Sequence, residues 1–554
     1  MKIIFEIRLL VCQKKIPQNI IFRFAILQMN EGHPMKNGNL ASENIEASTV
    51  KKVWWPRLPF AALLIIFTVS AYLPSLDKVF TFDQMSYFLE LNGETSLASG
   101  FRLFDYEANR QYGKGDEVLY RPLLFTVLAL ENTLFHRDFR LWNIANLVFH
   151  LLVAYLLFEV LWRIKPSLLA CGVALLFGLL ASNFEMVTRN HRGGYMLGYG
   201  LLLVALWAAR KMGWDKGCSG IRWFWIYGLA MTSAMLFHEI AVIAGFGVIA
   251  YVSWCRRKKL NTKWGKLIAA TCAPILIYVM LYSFHVSHCN RFLWVDTHGV
   301  VSSPIERLVY LPSLILYWLQ HIFLPLSGQL VFSYMGISSW TLPYGALIPE
   351  VFVPGALWIG ILICLRQGFE RKYMKEFFPF AALIFSLIVS YAGIVLLGRF
   401  HRALEEGSHY DYFPALFGAV LLYSFVDFSR VRRTSKLVAI ACLLLLTLNN
   451  GLEVRNMSCR IQELYSPVSR YLEWVEQTVR PKISSPDFSF AIKGVPPELN
   501  IPLWAWVGYP DQGCIMDLSL FDVLYGKYYN SVTPRYILVV RDIRTGKIDT
   551  LTEK

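Results

Sequence analysis

Charge is scarce in this sequence. Asp, Glu, Lys and Arg make up 17% of its 554 residues, too few to clothe the surface of a soluble protein of that size. Its ten cysteines form no CxxC pair and no metal-ligand spacing, so nothing signals a zinc site. Cys171, Cys272, Cys364 and Cys442 fall inside apolar runs and suit small hydrophobes, while Cys459 and Cys514 share one tail, where a disulfide is conceivable. No small-residue cleavage site follows the basic, apolar start "MKIIFEIRLLVCQKK". Met29 and Met35 both suit a start codon, and residues 1–50 are read as a cytoplasmic or spurious extension.

What is abundant is apolar. The chain is 55% hydrophobic and 15% aromatic, with a mean hydropathy of +0.42. Windows long enough for a bilayer span, which needs about 20 residues, recur near 54–75, 141–162, 168–183, 194–210, 223–237, 240–254, 267–286, 351–365, 377–397, 412–427 and 436–450. The expected fold is an all-α polytopic membrane protein of about 11 transmembrane helices, with a small C-terminal extramembrane α/β domain. A further stretch, "VYLPSLILYWLQHIFLPL" at 309–326, is expected to be interfacial or re-entrant.

The net charge of +15 does not point to nucleic acid. Its basic clusters, at Lys51–Lys52, Arg163–Lys165, Arg210–Arg222, Arg256–Lys259, Arg366–Lys375 and Arg430–Arg433, all lie in short connections between apolar runs. That is the signature of cytoplasmic loops. With the N-terminus inside, the same count places the C-terminal tail outside, facing the periplasm of a bacterial cytoplasmic membrane. The opposite loops gather the acids and histidines, among them Asp77, Asp83, Glu185, His191, His238, Glu239, His401, Glu405, His409 and Asp411. A transporter more often keeps such groups in mid-span. Groups at helix mouths suit chemistry at one membrane surface.

Five constellations stand out. Asp83, just beyond the first span, should be ionised and suits a general base for a hydroxyl; it also suits a solvated or helix-capping residue. In "LYRPLLFTVLALENTLF" (119–135), Pro122 suits a helix first turn, and Arg121 suits either a phosphate or snorkelling to headgroups. In "NFEMVTRNHRGGYMLGYG" (183–200), a continuous helix would put Glu185, Arg189 and Arg192 on one face beside His191, as an anion site or an internal Glu–Arg pair. Gly193-Gly194 would let the next helix start at close approach. His238-Glu239 stands in a tight hairpin between apolar runs, where deep burial of charge costs about 3 kcal/mol and is tolerated for function. Finally, "GRFHRALEEGSHYDYFPA" (398–415) packs Arg399, His401, Arg402, Glu405, Glu406, His409 and Asp411 into a loop suited to a charged, polar ligand, or to neutralising itself.

In combination and in order, the Asp after the first span, "YRPLLF", "NIANLVFHLL", "NFEMVTRNHR", the "HE" and "YDYFPALFGAVLLY" resemble the GT-C polytopic glycosyltransferases. The nearest likeness is to bacterial relatives of the tetratricopeptide-containing protein O-mannosyltransferases, over residues 54 to 450. The resemblance implies transfer of a sugar, with inversion, from a polyprenyl-phosphate donor to a glycan, lipid or protein acceptor at the outer face. It implies Asp83 as the catalytic base. Arg121, Glu185, Arg189, His191, Arg192, His238, Glu239, Arg402, His409 and Tyr410 become donor-binding candidates, with Tyr412 also lining the site. The sequence departs from the family where Gln84 replaces a second acid, which weakens the case for a divalent metal ion, and where His238 stands in place of a frequent Lys. No repeat of about 34 residues follows position 450, so the tetratricopeptide tail is missing. Instead "SRYLEWVEQTV" (469–479) suits a helix, and "FSFAIKGV" (488–495) and "RYILVVRDI" (535–543) suit strands. The expected organisation is therefore 1–50, a transmembrane domain 51–452 with its first outer loop at 76–140, and an outer-face domain 453–554. Two other readings compete: an O-antigen polymerase or ligase, and a flippase for a lipid-linked sugar, which would show broken helices.

Overall fold

The computed structural model describes residues 57–78, 120–135, 138–164, 166–189, 192–214, 221–239, 264–289, 411–427 and 433–474, a few positions within 241–245 and 359–391, and four short strands after 488. Two compact units divide the chain, Met1–Pro59 and Phe60–Lys554. Three helical segments are long and apolar enough to cross a membrane: Arg57–Leu76, Phe139–Arg163 and Leu437–Glu463. A fourth qualifies if the pair Leu168–Leu179 and Ala181–Thr188, bent by 46°, is one broken span. This is an integral membrane protein. Of the other expected spans, those near 194–210, 223–237, 267–286 and 412–427 appear as helices, while 240–254, 351–365 and 377–397 lie almost wholly outside the described residues, as does 309–326. The expected count of eleven is therefore not reached among the described residues.

Helix α1 (Arg57–Tyr72) tightens into a 3-10 turn, Leu73–Asp77, where Pro74 supplies no N–H to continue the α-helical ladder. Ser75 Oγ donates to Tyr72 O at 2.7 Å, and the chain leaves extended at Lys78. Helix α2 (Pro122–Phe135) opens on proline, as its sequence implies. Helix α3 (Phe139–Ile164) is capped by Asp138, whose Oδ1 accepts from Arg140 N at 3.0 Å and Leu141 N at 3.3 Å. Then follow α4 (Leu168–Leu179), a 3-10 turn at Ala181–Asn183, and α5 (Phe184–Thr188). Next come α6 (Gly193–Trp214), α7 (Ile221–Phe237), α8 (Trp264–Cys289), α9 (Tyr412–Asp427) and α10 (Arg433–Trp474).

One core joins these helices. α6 packs against α3 and α7, α4 against α3, α9 and α10, and α7 against α2 and α8. Large apolar side chains such as Ile66 (58% exposed), Leu229 (64%) and Met280 (71%) point outward, as a lipid-facing surface requires. Helix α10 runs on past 450 for 42 residues in all, about 63 Å at 1.5 Å per residue and twice the hydrocarbon thickness. Its far half buries Val454, Met457 and Ile461, a helical stripe, and packs on the turn that ends α1. Cys459 in this helix carries a free thiol, so it does not form the conceivable disulfide.

Strands β1 (Phe488–Lys493), β2 (Ile515–Met516), β3 (Ile537–Asp542) and β4 (Ile548–Thr552) form a sheet in the order β2-β1-β3-β4. β1 runs parallel to β2 and antiparallel to β3, with Phe490 opposite Val540. β3 and β4 are also antiparallel, with Val539 opposite Thr550.

Candidate functional site

The polar residues of the described chain converge on two adjoining clusters at helix ends. The first lies where α1 ends. Asn143 on α3 donates through Nδ2 to Leu76 O at 2.9 Å and to Lys78 O at 2.8 Å, pinning the chain where it leaves α1. The buried Lys78 Nζ donates to Thr188 Oγ1 at 3.5 Å. Beside it, Glu185 and Arg189 form a buried ion pair one helical turn apart. Burial, and then the Arg189 charge, pull the Lys78 amine down to about 7, against the Glu185 carboxylate, which acts the other way.

The expected continuous helix through Arg192 does not form. Arg189 is extended (φ −90°, ψ 111°), and Asn146 Nδ2 on α3 donates to its carbonyl. Arg192 N then returns to Arg189 O at 3.0 Å, and α6 begins at Gly193. Glu185 and Arg189 thus share a face, whereas Arg192 is turned into the second cluster. The two glycines do allow the close approach that their sequence suggests. A Cβ on Gly193 would lie 2.5 Å from Phe149 Cδ2 and 2.7 Å from Asn146 Oδ1, and one on Gly194 would lie 2.6 Å from Leu124 Cδ1.

The second cluster joins the start of α2, the start of α6 and the end of α7. Arg121 donates Nε–H to Glu239 Oε2 at 2.7 Å, a second N–H to Glu239 Oε1, and Nη1–H to Tyr195 OH at 2.6 Å. This is a two-point Arg–carboxylate clasp, and it neutralises Arg121. Arg121 and Arg192 both lie against the Tyr195 ring, at 5.3 and 5.0 Å. Arg192 is different from Arg121: its Nε is buried without a hydrogen-bond partner, and no carboxylate pairs with it among the described residues. His238 occupies the tight turn after α7 and meets the rings of Tyr195 at 5.2 Å and Tyr199 at 5.9 Å.

Burial pushes the Glu239 carboxyl up, but the Arg121 charge and hydrogen bond, with His238, outweigh it and hold the group at about 2. Burial lowers the His238 imidazole; Glu239 opposes this, and Arg121 and Arg192 lower it further, to about 3. Glu239 is therefore ionised and His238 neutral at pH 7.

Tyr412 does not open into this cluster. It is fully buried, and its hydroxyl lies 3.0 Å from His150 Nδ1. His150 Nε2 lies 3.0 Å from Gly178 O, which can only accept, so Nε2 carries the proton and Nδ1 accepts from Tyr412. Tyr412 stacks on Tyr199 at 6.1 Å and so backs the site from one layer behind. Asp83, His191, Arg402, His409 and Tyr410 lie outside the described residues. Lys78, His150 and Asn146 were missed as site or supporting residues. Lys78 gave no signal beyond being polar past a helix end, and Asn146 and His150 gave only their places in "NIANLVFHLL". Among the described residues no three His, Cys, Asp or Glu gather as metal ligands would.

These helices and their polar mouths define a polytopic membrane protein with a site at one end of its bundle. No family model matches the chain, and no curated protein sequence matches it. Among solved structures it is similar to the crystal structure of ArnT from Cupriavidus metallidurans bound to undecaprenyl phosphate. There the identity is 14%, over 84% of this chain and 90% of that one, with a TM-score of 0.43. It is also similar to the oligosaccharyltransferase AglB from Archaeoglobus fulgidus, in complex with an inhibitory peptide and a dolichol-phosphate. That identity is 12%, over 83% of this chain and 60% of that one, with a TM-score of 0.38. Neither likeness is close enough to bear on the chemistry of this chain.

Proposed function

We propose that the protein is a GT-C-type glycosyltransferase that moves a sugar from a polyprenyl-phosphate donor to a glycan, lipid or protein acceptor. The observation that carries this reading is the division of labour between two arginines. Arg121 is committed to Glu239 and builds the wall, whereas Arg192 brings an N–H with no acid partner to a helix mouth. A lipid phosphate has the matching chemistry, since its tail stays in the bilayer while its anion reaches a guanidinium at the surface. The ordered motifs that resemble the GT-C enzymes support the same reading. Arg192 and His238 would face the leaving phosphate and stabilise the charge that develops on it. Asp83, on the loop that begins at Lys78, would take the acceptor's proton. The loops bearing these groups would face the periplasm, with the sheet after 488 belonging to a domain on that side.

One observation favours a second reading. The break between α4 and α5, with Ser182 and Asn183 buried at it, is the kind of interrupted helix that a lipid flippase would use. Transfer of label from radiolabelled polyprenyl-phosphate sugars by purified protein in nanodiscs separates the two. Transfer by wild type that Asp83→Asn and Arg192→Ala both abolish, in folded protein, supports the transferase. Movement of lipid between leaflets without transfer overturns it.

A further inference from the structure

On the proposed reading of the site, we propose that His238 takes up a proton when a phosphate monoester dianion forms beside Arg192. The reaction changes the charge that the site must hold. The donor is a phosphodiester with one negative charge. The acceptor oxygen forms a bond to the anomeric carbon, the bond from that carbon to the phosphate oxygen breaks, and its electron pair stays on the phosphate. The acceptor's proton leaves to a base and then to solvent. The lipid phosphate left behind is a monoester whose second ionisation falls near pH 6, so at neutral pH it is a dianion.

The described charges match the first state better than the second. Arg121 and Glu239 cancel, so among the described residues of this cluster Arg192 supplies the one positive charge that is not paired to a carboxylate. That balances a diester and leaves a dianion short by one. The neutral group at hand is His238, which lies against Tyr195, the same ring that Arg192 covers. Among the described residues, several groups face it. α6 contributes Tyr195 and Tyr199, and Arg192 just precedes it. The start of α2 contributes Arg121. The charges that act on the imidazole are Glu239, Arg121 and Arg192. Burial keeps the ring neutral; Glu239 opposes this, and Arg121 and Arg192 add to it. A dianion reverses the sign of the field there, and a proton from solvent then becomes favourable on the imidazole. Product binding would therefore strengthen as pH falls, and release would be favoured as pH rises.

The test uses the full-length protein in nanodiscs, with farnesyl phosphate as the monoester and farnesyl methyl phosphate as the diester. Calorimetry at pH 7.5 in two buffers of different ionisation enthalpy reads protons taken up per ligand bound. Wild type should take up close to one proton with the monoester and none with the diester, and its monoester affinity should fall about tenfold per pH unit around pH 7.5. His238→Gln should bind the monoester without uptake. His238→Lys should bind it without uptake and with affinity unchanged around that pH. Because the two ligands are compared on wild type, a variant that fails to fold does not decide the matter. Equal uptake with both ligands, no uptake in wild type, or undiminished uptake in His238→Gln overturns the proposal while leaving the phosphate site standing. Binding of neither ligand to wild type overturns the site reading and this inference together.

Discussion

At the scale of single residues, the two arginines should separate under mutation. Arg121→Ala would leave Glu239 partly buried (17% exposed) and without its clasp, and breaking such a pair costs about 3–5 kcal/mol. We expect a large fall in melting temperature in detergent, mostly recovered in the double variant with Glu239→Gln. Arg192→Ala should shift melting by only a few degrees yet weaken farnesyl phosphate binding at least tenfold, as loss of a charge-assisted hydrogen bond does. Equal thermal losses in the two variants would contradict this division. Lys78 supplies a pH signature. Its amine lies below the ordinary 10.5, so between about pH 7 and 10.5 the unfolded chain binds that proton and the folded chain releases it. Its contribution to stability is greatest above 10.5 and is lost as pH falls to about 7. Lys78→Met should therefore raise the melting temperature, with a larger gain at pH 7 than at pH 10; an equal gain at both would place the amine in water.

At the scale of elements, the turn from α5 to α6 sets the geometry of the site. Gly193→Ala would press a methyl into Phe149 and Asn146, the residue that holds the Arg189 carbonyl. Overpacking of this kind costs about 1–3 kcal/mol. Gly228 is the control, because a Cβ there meets nothing within 4 Å and α7 would gain roughly 0.8 kcal/mol of helix propensity from alanine. Thermal melts should show loss for Gly193→Ala and no loss for Gly228→Ala. The same turn shows what could be read beforehand. The Glu185–Arg189 pair was legible because i and i+4 meet on any helix. The departure of Arg192 was not, because the contact made at that turn is with Asn146, 43 residues away on α3. Lys78 was equally hidden: a lysine beyond a span reads as snorkelling, and its burial is made by Thr188, 110 residues away in sequence. Pro122 was legible because proline chemistry is local.

At the scale of the molecule, hydropathy located the helices well and their ends poorly. The window near 436–450 belongs to a helix that continues to Trp474, because its far half is held by tertiary contacts and not by lipid. Val454, Met457 and Ile461 brace the turn below Lys78, and Arg455 Nη1 donates to Ser70 O at 2.8 Å. Ile461→Ala should therefore cost about 2–5 kcal/mol, the loss expected of a buried core side chain and larger than for the exposed Leu452. The direction in which this helix leaves the bilayer fixes the orientation of everything else. α1 ends in the polar cluster, and the far half of α10 packs on that same end. Residues 454–474 would then lie on the side of the proposed site. On the proposed reading, with the basic clusters inside, that side would be the periplasm in a bacterial host. An alkaline phosphatase reporter fused after Trp474 should be active, and one fused after Lys259 inactive, with green fluorescent protein giving the reverse. Activity after Lys259 would invert the protein in the membrane. The site would then face cytoplasmic sugar nucleotides, and an outward-facing lipid-linked donor would lose its physical basis.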